Sequence, residues 1–361
     1  LVGRLDVVHG DRGFDDNSAV HVTTWCLIRQ ELSPRARANP AGTRNPEPVP
    51  TRTGGMETGS RPIGAFDGGF DLATTLESGQ SYLWRRDDGR IYGGETDGSP
   101  WYYTVLPGTA TATNEPEVLR VRQVDERLEW ASSTENAYDR LEHLMRLDDD
   151  LDSIVDATPS DPLLDRAYDA HRGMRLVRDP PFGCLISFIC SAQMRVARIH
   201  GMQTALAETY GETVAFDGET YHAFPTPSAL AAATEADLRE LSLGYRAPYV
   251  QRTAEMVAEG EAHPDDAHGL EYGEARESLT RFVGVGEKVA DCVLLFSLGY
   301  LEAVPLDTWI RSAIEEHYPD CERGSYAETS RAIRARFGGT YAGYAQTYVF
   351  HHLRTGGDDA A

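Results

Sequence analysis

Two periodicities divide the chain. From Ile63 to about Ser133 apolar and polar positions alternate in short runs: Tyr82 and Trp84, then Trp101, Tyr103 and Val105, then Leu128 and Trp130. A period of two puts alternate side chains on one face of a strand. Turn-forming residues separate the runs at Asp87-Asp88-Gly89, Gly93-Gly94 and Pro107-Gly108. The pattern predicts an antiparallel sheet that buries one face. From about Ala137 the spacing lengthens to three and four, as in a helix. Leu185, Phe188, Ile189, Ala192, Val196 and Ile199 share one helical stripe. Thr234 with Asp237 forms a capping-box pattern, Pro227-Ser228 marks another helix start, and a last helix runs through Tyr344–Leu353. The predicted fold class is therefore α+β. A small antiparallel β-sheet domain over residues 56–136 precedes an all-helical domain over residues 137–355, with a short tail at 356–361.

Residues 1–55 follow neither pattern. They are rich in Pro, Arg, Asn and Gly from Pro34 to Gly55 and carry seven Arg against six Asp plus Glu, a net charge of +1. The rest of the chain holds −24 of a total of −23. Met56, the first methionine, stands where the acidic bias begins. We expect the folded protein to start there, with residues 1–55 a disordered or non-native extension.

Acidic residues outnumber basic ones by 57 to 34, and Lys288 is the one lysine in the chain. A lysine-poor, acidic surface suits a salt-rich cytoplasm, because at about 1 M salt the Debye length falls to about 3 Å. We therefore expect a halophilic source and a cytoplasmic location. The longest apolar stretch, Val289 to Val304, is broken by Asp291 and Glu302 and is too short and charged to span a bilayer. Five scattered cysteines give neither a disulfide framework nor a zinc pair. No metal site or cofactor is expected, and no membrane association.

The segment Leu279–Ile310 carries the chemistry. Leu279 and Phe282 close one helix, Gly284, Val285 and Gly286 make a tight hairpin, and a second helix starts near Glu287. Glycine accepts backbone angles that a side chain obstructs and lets amides approach a phosphate at a helix N-terminus. Such a hairpin grips a nucleic-acid backbone without reading sequence. Lys288 lies two residues past the hairpin, and Asp307 nineteen beyond it. A deprotonated lysine amine attacks a sugar carbon and holds it as a Schiff base, while a carboxylate stabilises positive charge on the sugar. Each residue has a plainer reading: Lys288 as a solvated helix residue, Asp307 as the N-cap of a helix Thr308–His317. Composition separates the readings for Lys288, since arginine replaces lysine everywhere else yet cannot be deprotonated for nucleophilic work.

The run GVGEKVADC followed by VPLD closely resembles the active-site region of 8-oxoguanine DNA glycosylases, members of the helix-hairpin-helix–Gly/Pro–Asp (HhH-GPD) superfamily. Ser78-Gly79-Gln80-Ser81, DPPFGCLISFICS with ARIHGM, LGYRAPYV and YAGYAQTYVF resemble further family segments, in order, over roughly residues 63–355. The resemblance implies a sheet domain followed by a helical HhH-GPD glycosylase domain, acting as a monomer on double-stranded DNA that contains a damaged base. It implies a bifunctional glycosylase and AP (apurinic/apyrimidinic) lyase, with Lys288 as nucleophile and Asp307 as catalytic aspartate. Gly79 would accept the N–H that oxidation adds to guanine, Cys292 and Phe350 would sandwich the flipped base, and Gln346 would read its Watson–Crick edge. Arg198 and Arg246 would face the orphaned cytosine, with Tyr245 as the wedge. An extruded base needs such stacking faces and a few polar readers.

Two positions depart from the family. Gln193-Met194-Arg195 stands where consecutive asparagines usually fill the hole left by the base, so Gln193 would take that place and Arg195 would join the DNA-facing arginines. Trp309 stands where histidine is frequent, two residues past the aspartate. Two alternatives set the expectation in relief. A monofunctional alkylated-purine glycosylase activates water with the aspartate and has no use for Lys288. A non-catalytic helix-hairpin-helix DNA-binding protein has no use for the lysine, aspartate and pocket residues together. The endonuclease III branch usually adds four cysteines near the C-terminus for an iron–sulfur cluster, and here Cys321 stands alone in the last 60 residues.

Overall fold

In a computed structural model of the chain, residues 56–93, 99–111 and 114–356 are described. The expectation for residues 1–55 and the end of the predicted tail lie outside them. The first strand, β1 (Glu57–Pro62), is followed by a short helix, α1 (Leu72–Glu77), and by β2 (Arg85–Arg86), β3 (Tyr102–Leu106), β4 (Glu117–Val124) and β5 (Arg127–Ser132). These five strands form one sheet in the order β1-β5-β4-β3-β2, and every neighbouring pair is antiparallel. Tyr82 and Trp84, read from their alternation as a strand, lie in irregular chain just before β2; both are buried nonetheless.

The helical region opens with α2 (Ala137–Leu144), α3 (Leu151–Asp156), α4 (Pro162–Ala170), α5 (Pro181–Ser191) and α6 (Val196–Tyr210). A hairpin, β6 (Thr213–Phe216) and β7 (Glu219–His222), interrupts it, so the region is not all-helical as its periodicity predicts. Asp217 and Gly218 both take positive φ at its tip, the signature of an Asp-Gly type I′ turn. Then follow α7 (Pro227–Ala231), α8 (Glu235–Glu240), α9 (Ala247–Ala258), α10 (Tyr272–Thr280), α11 (Glu287–Phe296), α12 (Thr308–His317), α13 (Tyr326–Arg336) and α14 (Ala342–Arg354). The Thr234–Asp237 capping box forms at α8 as its spacing predicts, and Thr226 caps α7.

The sheet buries more than the predicted single face. Leu119, Val121 and Leu128 join the main core with Leu185 and Leu295 of the helices, whereas Val118, Val105 and Ala131 pack on the other side against Phe216 and Ala223 of the β6–β7 region. One core thus spans sheet and helices. The stripe from Leu185 to Ile199 is also not one helix: α5 stops at Ser191 and α6 starts at Val196, with Gln193 at φ +51 between them.

Where sheet and helices meet, Arg175 is completely buried. Its guanidinium donates to the carbonyls of Arg146 and Asp149 at 2.7 Å and of Asp67 and Gly69 at 2.7 and 3.1 Å. The loop after β1 and the loop after α2 are thereby held by one side chain. Replacing it strands several carbonyls without donors in a dry interior, at a cost on the order of 3–5 kcal/mol. Arg175→Met is expected to lower the Tm by roughly 10 °C, and Arg175→Lys by nearly as much, because an ammonium cannot reach both loops in the guanidinium's planar fork. Thermal unfolding followed by circular dichroism checks this; a Tm within about 2 °C of wild type would show that the junction does not depend on Arg175.

Candidate active site

The segment singled out for chemistry folds as a helix-hairpin-helix, α10 to α11. Gly284 has φ +84, and a Cβ there would stand 2.8 Å from the Tyr249 ring, so conformation and packing both require glycine. Gly286 is different. Its φ is −98, and a Cβ on it would meet nothing within 4 Å, so the fold itself does not require glycine there. What it leaves is access: no side chain caps α11, and Val283, Gly284 and Gly286 are exposed around its first amides. Those N–H groups have no intrahelical acceptor and sit at the positive end of the helix dipole. Val285 points inward and is buried.

Lys288 lies half-buried in the first turn of α11. Its Nζ donates to Ser191 Oγ at 3.2 Å and sits 5.3 Å from the centre of the Phe188 ring, in the seam between α5 and α11. Cys292 follows one turn later and is buried. Burial pushes its thiol up to about 12, the Lys288 cation opposing and the Asp307 and Asp291 carboxylates reinforcing the shift. The sulfur therefore stays protonated, a polarisable apolar surface rather than a nucleophile.

Asp307 takes up the plainer of its two readings and keeps the other available. Its Oδ1 accepts the Ile310 N–H at 2.8 Å, capping α12. The same carboxylate is near enough to Cys292 and to the Tyr82 hydroxyl to act on both electrostatically. Asp291 sets its position. Buried and pushed up to about 6 by desolvation, Asp291 accepts hydroxyls from Tyr272 and Tyr326 at 2.7 Å each. Tyr326 in turn accepts the Leu306 N–H at 3.1 Å. The chain entering Asp307 is thus tied to the helix that carries Lys288.

The Ser78–Ser81 turn meets the C-terminal part of α14. Gly79 has φ +91, and a Cβ on it would lie 3.2 Å from Arg354 Nη1, 3.8 Å from Phe350 Cε1 and 3.9 Å from Tyr92 Oη. Gln80 pins the turn: its amide nitrogen donates to the Thr75 and Arg175 carbonyls at 3.2 and 2.9 Å, and its oxygen accepts the Val177 N–H at 3.1 Å. On α14, Gln346 and Phe350 stand one turn apart on one face. Gln346 is buried, and its Oε1 has no hydrogen-bond partner among the described residues, an acceptor held ready for a donor. Phe350 meets Trp309 edge to face at 6.2 Å.

Several lining groups have no local sequence signal. Tyr82 stands edge-on to Phe188 at 5.7 Å and to His200 at 5.3 Å, and Tyr92 meets His200 at 6.2 Å. Burial, helped by Arg85, pushes His200 down to about 4, so its ring is neutral near pH 7. Tyr82 and Tyr92 fall in stretches read as sheet. Arg354 alone had a usable signal, its spacing of four from Phe350 and eight from Gln346.

On the outer side, Gln193, Arg195 and Arg198 are exposed around the break between α5 and α6, and Tyr245 is 55% exposed. Arg246 departs from the expected surface patch. It is buried, donates to the Ala192 carbonyl and stacks 4.3 Å from the Tyr245 ring. It braces the turn that presents Gln193 and stiffens Tyr245. Among the described residues, no group of three or more His, Cys, Asp or Glu could hold a metal ion. No described helix is long and apolar enough to cross a membrane.

The chain matches two described families in tandem: the 8-oxoguanine DNA glycosylase N-terminal domain over residues 65–185, and the HhH-GPD superfamily of base excision DNA repair proteins over residues 186–337. A relative from Methanothermobacter thermautotrophicus, named "Probable N-glycosylase/DNA lyase", is 32% identical over 80% of this chain and 95% of its own. The N-glycosylase/DNA lyase of Saccharomyces cerevisiae is 34% identical over 68% of each chain. The structure of the Clostridium acetobutylicum 8-oxoguanine glycosylase/lyase, solved with double-stranded DNA containing cytosine opposite 8-oxoG, superposes with a TM-score of 0.68 at 30% identity, over 80% of this chain and 93% of the other. With a helix-hairpin-helix and these matches along its length, the chain belongs to the HhH-GPD superfamily of base excision DNA repair proteins, in the branch that carries the 8-oxoguanine DNA glycosylase N-terminal domain.

Proposed function

We propose that the protein is a bifunctional DNA glycosylase and AP lyase that flips 8-oxoguanine out of duplex DNA and excises it through a Schiff base on Lys288, in a reducing cytoplasm. The observation that carries this reading is the placement of the single lysine of the chain in the first turn of α11, behind the hairpin and one turn before Cys292, with its amine in the seam against Ser191. The described cysteines are all free and buried, which suits a reducing compartment.

In this reading each part of the site has its own task. The uncapped start of α11 takes a backbone phosphate, which suits a protein of net charge −23 because amides bind an anion without adding side-chain charge. Tyr245, stiffened by Arg246, wedges into the stack, Gln193 fills the vacated space, and Arg195 and Arg198 face the strand opposite. The extruded base lies between Cys292 and Phe350, its Watson–Crick edge against Gln346 and its N7–H toward the Gly79 carbonyl. The Lys288 amine forms a bond to the sugar C1′ as the bond to the base breaks, the base leaving with a proton. The Asp307 carboxylate stabilises the positive charge on the sugar. Ring opening gives the imine, and loss of a C2′ proton expels the 3′ phosphate, which nicks the strand.

Borohydride added during turnover is expected to leave enzyme covalently attached to DNA at Lys288, which mass spectrometry locates. Lys288→Gln abolishes trapping and base release while binding persists. Lys288→Arg keeps the charge but cannot form the imine; substantial glycosylase activity in that variant would reduce the lysine to a phosphate contact. Asp307→Asn slows excision by orders of magnitude, yet shifts stability by well under about 1 kcal/mol, because asparagine caps a helix as well as aspartate.

Across duplexes carrying 8-oxoguanine, 3-methyladenine, hypoxanthine and uracil, excision should be fastest for 8-oxoguanine, with undamaged guanine untouched. Gln193 in place of asparagine should leave discrimination among opposite bases weak. Faster release of 3-methyladenine or hypoxanthine would transfer the chain to the alkylated-purine reading.

A further inference from the structure

Helix α14 presents Gln346, Phe350 and Arg354 at intervals of four along one face. Arg354 stands at the end of the pocket remote from Gln346. Its Nη2 donates to the Glu77 carbonyl just before the Gly79 turn. Its guanidinium carbon lies 5.5 Å from the centre of the Phe350 ring and 5.0 Å from that of Tyr92, so two aromatic faces hold it in place. Nη1 makes no hydrogen bond among the described residues, yet lies 3.2 Å from the point where a Gly79 Cβ would sit. Tyr92 Oη lies 3.9 Å from that point and is buried without a hydrogen-bond partner. Arg354 and Tyr92, which also act on each other, therefore flank Gly79, and the guanidinium has more N–H donors than these contacts use.

We infer that Arg354 is a specificity-determining residue that donates a hydrogen bond to the C8 carbonyl of the flipped lesion. This rests on the pocket assignment proposed above. With the Watson–Crick edge of the purine at Gln346, its oxidised edge lies toward Gly79. Eight residues of helix separate Gln346 from Arg354, a rise of about 12 Å, which with inward-leaning side chains brackets a purine. The lesion has two carbonyls. O6 adjoins the Watson–Crick edge, and O8 lies beyond N7, on the Arg354 side. Undamaged guanine offers a C–H at C8 and a lone pair at N7, so it gives Arg354 no acceptor at C8 and repels the Gly79 carbonyl. Gly79 reads the added proton and Arg354 the added oxygen, the two atoms that separate lesion from parent base. A cationic donor makes the stronger bond of the two, and the Glu77 carbonyl fixes its direction.

The test compares two single-turnover reactions of the full chain: excision of 8-oxoguanine, and strand cleavage at a preformed abasic site, which holds no base. Arg354→Met keeps an unbranched side chain over Phe350 and removes the donor. Its excision of 8-oxoguanine should fall by about 10- to 100-fold, while cleavage at the abasic site stays at the wild-type rate. Arg354→Lys, which keeps a donor, should recover part of the loss. If Arg354→Met does not fold, Arg354→Gln serves in the same comparison. Unchanged excision of 8-oxoguanine overturns the inference and leaves the pocket assignment standing. Equal losses in both reactions make Arg354 a packing residue and overturn it too. Failure of the wild-type chain to release 8-oxoguanine overturns the functional reading and this inference with it.

Discussion

The guanidinium of Arg175 holds the sheet to the helices, and the site inherits its geometry from that junction. One side chain serves carbonyls from the loop after β1 and from the loop after α2, while the Arg175 carbonyl accepts the Gln80 amide. Gln80 fixes the turn that carries Gly79, and the neighbouring Val177 N–H completes the grip. A buried charge is costly unless its donors are matched, and here backbone carbonyls match them. The Gly79 turn is therefore held in a fixed place against the chain that leads from Arg175 into α5.

A second constraint acts on the helix that carries Lys288. Asp291, next to Cys292 in the chain, gathers Tyr272 of α10 and Tyr326 of α13, and Tyr326 passes the connection to the Leu306 amide. Asp307 then begins α12 with its own side chain as the cap. The cap and the chemical role do not compete, because one carboxylate oxygen serves the Ile310 amide and the other remains available to the pocket. A carboxylate held at a helix N-terminus is fixed in place, which is what the proposed stabilisation of a transient sugar cation requires. Lys288 lies one turn before Cys292 on the same helix, so amine, thiol and carboxylate keep their spacing through backbone geometry.

The acidic composition bears on how this site meets DNA. Salt weakens side-chain contacts to phosphate by removing the gain from counterion release. The protein exposes an uncapped helix start and the aromatic ring of Tyr245, and it turns Arg246 inward as a brace. Arg195 and Arg198 are exposed beside it, at the start of α6.

The sequence by itself determined what local rules control. Alternation located β3 and β5, the Thr234–Asp237 spacing located the start of α8, and Asp307 announced a helix cap. The lone lysine and the hairpin glycines marked the chemistry, because few residue types can supply a neutral amine or a positive φ. Asp217-Gly218 also carried a hairpin signal, legible in its type I′ preference, though helical periodicity on both sides masked it. Only the tertiary structure decided the rest. It split the stripe from Leu185 to Ile199 at Gln193, because a stripe records which face is buried and not where the chain changes direction. It buried Arg246, packed Tyr82 against Phe188 instead of in a strand, and brought His200 from a distant segment against Tyr82 and Tyr92. Convergence of that kind depends on packing between elements far apart in the chain, for which no local pattern of residues carries a mark.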